Sequence, residues 1–126
     1  MGKKVCVAVF DKNKNSRYLI EILAKKIVSE LIFLEAEKGL DAIQLINNND
    51  IDLCFVNFSL PVVGGVEVAK ILKEKNKNVR IVALYSSTLN YEIIKNDSNF
   101  DSSIEVATSV KIITEEITNF IADNSV

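Results

Sequence analysis

The 126-residue sequence contains no histidine and no tryptophan, and it has only one proline, four glycines and two cysteines. Without histidine the chain cannot form a Ser–His or Cys–His nucleophile pair, an imidazole metal ligand or a phosphohistidine intermediate. Cys6 and Cys54 lie within apolar runs, and their spacing fits neither a disulfide framework nor a zinc site. We therefore interpret both cysteines as small core residues of a protein in a reducing compartment.

Neither sign of charge dominates, because 15 basic and 17 acidic residues give a formal net charge of −2. This charge balance does not indicate a basic surface that would bind nucleic acid or an anionic membrane. No apolar run approaches the roughly 18 residues of a membrane-spanning helix, and no signal-peptide pattern opens the chain. We expect a cytoplasmic protein that binds neither nucleic acid nor membrane, with residues 1–126 forming a single domain.

Five short apolar runs alternate with stretches of helical periodicity. The runs are typical of strands covered on both faces, and they span Val5–Phe10, Leu31–Ala36, Ile51–Phe58, Ile81–Leu84 and, less clearly marked, Ser103–Ala107. The stretches after them carry apolar residues at helical spacing. In the closing helix, for which Thr108 or Ser109 is the predicted N-cap, these residues are Val110, Ile113, Ile117, Phe120 and Ile121.

This strict alternation predicts an α/β fold of the flavodoxin-like, doubly wound kind. The expected architecture is a three-layer sandwich, in which a five-stranded parallel sheet in the order 2-1-3-4-5 carries five helices on its two faces. Functional sites of such folds lie at the carboxyl ends of the strands. The positions to search therefore follow Phe10, Val56, Leu84 and Val106.

Three of these strand ends carry recognisable segments. They are Val9-Phe10-Asp11-Lys12-Asn13 with Arg17, Asp52-Leu53-Cys54-Phe55-Val56-Asn57-Phe58-Ser59-Leu60-Pro61 with Gly65, and Ile81-Val82-Ala83-Leu84-Tyr85-Ser86. Together they resemble the receiver domain of response regulators, the CheY-like module of two-component signalling, over essentially the whole chain. The resemblance implies an acidic pair that holds Mg²⁺, an aspartate that accepts phosphate, a switch pair of one hydroxyl and one aromatic residue, and a lysine.

The departures from this pattern fall on the positions that carry the family's chemistry. Asp11 retains one member of the acidic pair. By the same resemblance, the other positions are changed: the second acid is Lys12, the phosphoacceptor is Asn57, the switch hydroxyl is Tyr85 followed by Ser86, the switch aromatic is Ser103, and the lysine is Val106. The chain is thus similar to a receiver in scaffold and atypical in its site, a pseudo-receiver.

These changes predict that the phosphorylation chemistry is lost. An amide is a far weaker nucleophile than a carboxylate, and the charges of Asp11 and Lys12 cancel, so we expect Mg²⁺ binding to be weak or absent and assign no metal ligand. Asp52 lies five residues before Asn57, about 16 Å away along a strand, and is a poor substitute acceptor. We therefore expect no cofactor, no catalytic residue and no enzymatic activity.

The switch is also expected to differ from that of a receiver. One hypothesis is that the Tyr85 ring fills the space that a rotating aromatic residue would need, which would hold the surface of the last two helices in one state. The alternative is that Tyr85 packs at the sheet edge with its hydroxyl in solvent.

Three functions remain open at this stage. The first is a phosphorylation-independent protein-interaction module, which binds a partner or a second copy of itself through the last two helices and the strand between them. The second is a phosphorelay receiver still coupled to a sensor kinase. The third is a small ligand-binding domain, for which Ser86-Ser87-Thr88 is a weak candidate phosphate loop without glycine or a basic anchor.

Overall fold

The computed structural model describes residues 4–106 and 110–124 of the chain. Within these ranges strands and helices alternate strictly, as the apolar pattern predicts. The elements are β1 (Val5–Phe10), α1 (Lys14–Ile27), β2 (Leu31–Ala36), α2 (Gly39–Asn48), β3 (Leu53–Asn57), α3 (Gly65–Lys75), β4 (Arg80–Tyr85), α4 (Thr88–Ile94), β5 (Ser102–Glu105) and α5 (Val110–Asp123).

The strands form a parallel sheet in the order β2-β1-β3-β4-β5. The prediction of a flavodoxin-like, doubly wound α/β fold is therefore confirmed. The register matters for function, because Phe10 at the end of β1 pairs with both Ala36 and Val56. This pairing brings the carboxyl ends of β1, β2 and β3 to one edge of the sheet.

Two apolar clusters cover the two faces of the sheet. One lies under α2 and α3 and includes Phe10, Val56 and Ile81, whereas the other lies under α1 and α5 and includes Phe55 and Ile117. Because β1, β3 and β4 contribute to both clusters, these strands are apolar at nearly every position. The predicted core role of the two cysteines is confirmed, since both thiols are buried and free.

Three details differ from the sequence-based expectation. β3 is shorter than the predicted run at both ends; before its first residue, Asp52 N donates to Cys6 O and the Asp52 side chain accepts a hydrogen bond from Cys6 N, both at 2.9 Å. β5 ends at Glu105, and Ala107 with the predicted caps Thr108 and Ser109 lies outside the described residues. The prediction that Val110 faces the core is wrong, since this residue of the first turn of α5 is 47% exposed.

Among the helices of the described residues, none is both long enough and apolar enough to cross a lipid bilayer.

Candidate functional site

The site is built from the residues at the carboxyl ends of β1, β3, β4 and β5. Short backbone hydrogen bonds fix each of these ends to a neighbouring strand: Asp11 N donates to Ala36 O (3.0 Å), Phe58 N to Leu84 O (2.8 Å) and Val106 N to Tyr85 O (2.7 Å). The loops that leave the strands therefore begin from fixed positions. The structure places the predicted site residues Asp11, Lys12, Asn57, Tyr85, Ser86 and Val106 at this edge.

Asp11 and Asn57 form the centre of the site. Asp11 is only 2% exposed and is the single buried charged residue in the part of the chain that the structure describes. Its Oδ1 accepts a hydrogen bond from Asn13 N at 2.8 Å, and its Oδ2 accepts one from Asn57 Nδ2 at 3.3 Å. The Oδ1 of Asn57 in turn accepts from Ser59 N at 2.8 Å. These two hydrogen bonds offset part of the cost of burying the Asp11 carboxylate.

Arg17 on α1 clamps the loop that carries Asp11. Its Nη1 donates to the carbonyl oxygens of Asp11 (2.7 Å) and Lys12 (3.2 Å), and its Nε forms an ion pair with Glu35 at 2.7 Å. The Arg17 side chain is only 13% exposed, whereas the Glu35 side chain is 47% exposed, so solvent reaches the ion pair from the Glu35 side and screens it. Lys12 itself is exposed at the rim of the site.

The loop between β3 and α3 is tightly packed against Asn57. A Cβ atom on Gly65 would lie 2.4 Å from Asn57 O and 2.9 Å from the Cα of Phe58, so only glycine fits. Three residues earlier, Val62 has a φ of 73°, which β-branched residues rarely adopt. The Val62 side chain is 69% exposed, so core packing does not explain this strained conformation.

Tyr85 packs against α4. Its ring centroid lies 5.4 Å from that of Tyr91, with the planes tilted by 35°, and the Lys95 ammonium lies 5.8 Å from the Tyr91 centroid. Partial desolvation, and then the charges of Glu105 and Tyr91, raise the pKa of the Tyr85 hydroxyl above its ordinary value. On β5 the half-buried Ser103 pairs with Ala83, two residues before Tyr85 on β4. Because side chains alternate along a strand, Ser103 faces the same side of the sheet as Tyr85.

The neighbouring polar segment is engaged in helix capping. The Oγ of Ser87 accepts a hydrogen bond from Leu89 N at 3.2 Å and caps α4, whereas Ser86 is exposed. In the weak candidate phosphate loop, the Ser87 oxygen is therefore used as a helix cap, and the helix that follows, α4, spans only seven residues.

Val106 follows β5 and is 42% exposed. Beside it lies a small cavity of about 40 Å³, lined mainly by Leu19, Leu84, Ile104 and Ile113. This apolar lining provides no cation at the place where the resemblance puts a lysine.

The donor set at this edge fits a divalent cation poorly. Hard cations such as Mg²⁺ require an octahedral set of oxygen ligands, in which one or two carboxylates are joined by water or phosphate oxygens. Asp11 supplies one carboxylate, and its Oδ2 faces an amide nitrogen, which is a hydrogen-bond donor and not a ligand. The described residues contain no cluster of three or more His, Cys, Asp or Glu side chains arranged to hold a metal.

Sequence analysis missed the contacts that depend on strand register and loop conformation. The hydrogen bond from Ser59 N to Asn57 and the strain at Val62 have no periodic signal. The Arg17–Glu35 pair joins α1 to β2, and only the predicted adjacency of β1 and β2 hinted at it.

With this geometry established, the fold and site define the class of the protein. A sequence profile described as the response regulator receiver domain matches residues 7–97. The chain therefore belongs to the response regulator receiver family of two-component signalling proteins.

Solved structures agree with this assignment at the level of the fold. The BeF3-activated receiver domain of DrrB superposes with a TM-score of 0.79 at 16% identity, covering 95% of this chain and 99% of that one. A CheY-like receiver from Methanospirillum hungatei gives a TM-score of 0.80 at 13% identity, covering 96% of each chain. TrrA of Thermotoga maritima, solved with Mg²⁺ and BeF, gives 0.78 at 20% identity, covering 92% of this chain and 98% of that one.

Among curated proteins, the chain is similar to the autoinducer 1 sensor kinase/phosphatase LuxN of Vibrio campbellii and of Vibrio harveyi. Each match is 22% identical over 119 residues and covers 94% of this chain. The chain spans only 14% of the length of these relatives.

Proposed function

We propose that this receiver acts as a protein-interaction module whose signalling does not depend on phosphorylation at Asn57. The observation that supports the proposal most directly is the Asn57 side chain, an amide at the phosphoacceptor position that is already bonded to Asp11 and Ser59. An amide nitrogen has no free nucleophilic lone pair, and the amide oxygen is far less nucleophilic than a carboxylate. A stable acyl phosphate at this position is not expected.

The electrostatics of the edge support the same proposal. Phosphoryl transfer needs a cation to neutralise the charge of the moving group. Lys12 puts a positive charge at the exposed rim of the site, next to Asp11 in the sequence, and this charge would repel a divalent cation and not bind it. Asp11 is a poor alternative acceptor, since it is 2% exposed and both of its oxygens accept hydrogen bonds. We accordingly propose no Mg²⁺ cofactor and no catalytic role.

The proposed partner surface is the α4-β5-α5 face. Leu89 and Ile93 are 76% and 52% exposed and lie one turn apart on α4, so they form an apolar ridge. On α5, Glu116 accepts a hydrogen bond from Ser102 of β5 at 2.7 Å. Ile112 precedes Glu116 by one turn, is 38% exposed, and therefore lies on the β5 side of α5. Adjacent exposed apolar side chains of this kind mark protein-interaction sites.

The first occupant to test on this face is a second copy of the chain. Sedimentation velocity of the wild type over a concentration series should show a dimer that Leu89→Glu abolishes. Tyr18→Glu on α1 is the matched control, because Tyr18 is 62% exposed on another helix and its replacement should leave association unchanged. A monomer at all concentrations would exclude the homodimer and leave a different protein as the partner.

We also propose that Tyr85 holds the α4 side of this face in one state, because its ring packs against Tyr91. Replacement by the smaller Thr removes the ring contact and should alter the association measured above. Unchanged association of Tyr85→Thr would refute the locked-switch role.

The phosphorylation proposal is tested by intact mass after incubation with Mg²⁺ and acetyl phosphate. We expect no phosphoryl adduct on the wild type. An adduct on Asn57→Asp alone would show that Asn57 is the block and that the remaining pocket is competent. An adduct on the wild type would overturn the proposal.

The alternative function is a phosphorelay receiver coupled to a sensor kinase. It is favoured by one observation, the similarity of the chain to part of two proteins named as sensor kinase/phosphatases. The same mass measurement separates the alternatives, because a relay receiver must carry the adduct. In either case we propose a cytoplasmic role with a protein partner and without nucleic-acid or membrane binding.

A further inference from the structure

The Asp11–Asn57 pair connects two loops that are remote in sequence. Phe10 and Val56 are partners in the β1–β3 register, so the residues that follow them lie side by side at the edge of the sheet. Asp11 begins the β1–α1 loop, and Asn57 is the last residue of β3, directly before the β3–α3 loop. Any bond between the two side chains therefore ties these loops together.

Each side chain of the pair is also bonded within its own loop. Asp11 accepts from the backbone of Asn13, which is the N-cap of α1, and Asn57 accepts from the backbone of Ser59. The orientation of the amide follows from these contacts. Only with Nδ2 toward the carboxylate and Oδ1 toward Ser59 N does Asn57 donate to an acceptor and accept from a donor.

We infer that Asn57 is a positioning residue whose amide holds the two loops together without a metal ion. The inference rests on the proposed function and deepens it, since it explains how the edge keeps its shape when no divalent cation is bound. A cation can join two carboxylates by neutralising both. Here a neutral amide joins one carboxylate to the neighbouring loop by donating a hydrogen bond.

The physical reason is the contrast between an amide and a carboxylate at position 57. A carboxylate accepts hydrogen bonds but cannot donate one when ionised. In Asn57→Asp the new oxygen would stand where Nδ2 now lies, 3.3 Å from Asp11 Oδ2. Asp11 is 2% exposed, so water screens this repulsion little. The link becomes a repulsion, which a bound cation or protonation of one of the two carboxyl groups would relieve.

The test is thermal unfolding of five proteins, each measured in chelator and in excess Mg²⁺. The wild type should unfold at the same temperature in both. Asn57→Asp should unfold roughly 5–10 °C lower in chelator, and Mg²⁺ should recover part of that loss. Asn57→Ala loses the hydrogen bonds without adding charge, so it should be destabilised less and should not respond to Mg²⁺.

The remaining two proteins are Asp11→Asn and the exchange variant Asp11→Asn/Asn57→Asp. The exchange variant keeps one amide and one carboxylate, so the amide at position 11 can donate to the carboxylate at position 57. We expect the exchange variant to unfold at a higher temperature than Asn57→Asp. Its unfolding equilibrium constant should be at least tenfold smaller than the value obtained by multiplying the effects of the two single substitutions. If Asn57→Asp does not fold in chelator, refolding in Mg²⁺ and the exchange variant supply the comparison.

Two results would overturn the inference. One is a wild-type unfolding temperature that rises with Mg²⁺, because the loops would then be held by a metal. The other is additivity of the two substitutions in the exchange variant, because the side chains would then not be linked. Neither result depends on phosphorylation, so an acetyl phosphate adduct on the wild type would refute the proposed function and leave this inference standing.

Discussion

Val62 offers a sharp test of the loop geometry, because replacing it should stabilise the protein. Its φ of 73° lies in the left-handed region, where a residue with a Cβ atom loses about 1–2 kcal/mol relative to its preferred conformations. Asparagine tolerates this region far better than a β-branched residue does. The substitution Val62→Asn should therefore recover most of this strain energy.

The cost of the substitution is small because little of the side chain is buried. Full burial of a valine side chain stabilises a protein by at least about 1.5 kcal/mol. Val62 is 69% exposed, so only about a third of this burial energy, roughly 0.5 kcal/mol, is lost on substitution. The net gain for Val62→Asn is then about 0.5–1.5 kcal/mol in the free energy of unfolding. A gain of this size raises the unfolding temperature by roughly 2–6 °C in a domain of 126 residues.

Urea unfolding followed by circular dichroism measures this gain, with two matched controls. Val62→Gly also relieves the strain, but it adds about 0.4–1 kcal/mol of conformational entropy to the unfolded chain and should gain less. Val62→Ala keeps a Cβ in the left-handed region and should not exceed the wild type. A Val62→Asn variant no more stable than Val62→Ala would refute the reasoning.

Two further predictions concern close packing and thiol ionisation. Gly65→Ala should lower the free energy of unfolding by about 2–3 kcal/mol, because its Cβ would meet backbone atoms of the site. Gly64→Ala is the control: its Cβ would have nothing within 4 Å, so it should change the free energy of unfolding by less than about 0.5 kcal/mol. Equal costs of the two substitutions in urea titrations would contradict this prediction. Burial, and then the charges of Asp52 and Asp50, raise the pKa of the Cys6 thiol from 9.0 to about 11. The stability that the protonated thiol contributes is therefore fully present below pH 9 and is lost as the pH rises through 11. The total loss in the free energy of unfolding is at most about 3 kcal/mol. The wild type should lose more stability than Cys6→Ala across this pH interval, and a thiol reagent at pH 8 should label the native wild type much more slowly than the unfolded chain.

Most of the fold follows from local patterns in the sequence. β1, β3 and β4 are apolar at consecutive positions because both of their faces are covered, and this signal predicts them well. β5 has only one buried residue among its four, Ile104, so its limits were the least predictable of the five strands. The exposure of Val110 was not predictable either, because helical spacing does not show where the first turn of α5 leaves the sheet.

The site divides in the same way. The Asn at position 57 and the Lys at position 12 are properties of the sequence alone, and they are the basis for predicting that the chemistry of a phosphorylated receiver is lost. These conclusions need no coordinates, since they depend on which atoms the side chains contain.

Only the tertiary structure decided how the remaining groups are used. The hydrogen bond between Asp11 and Asn57 joins residues 46 positions apart, and it exists because the β1–β3 register places them side by side. The positive φ of Val62 belongs to a tight turn in which Val63 N donates to Pro61 O at 3.0 Å, and valine disfavours this conformation. Local periodicity specifies which residues form strands and helices, whereas contacts between distant residues and strained conformations arise only when the whole sheet is assembled.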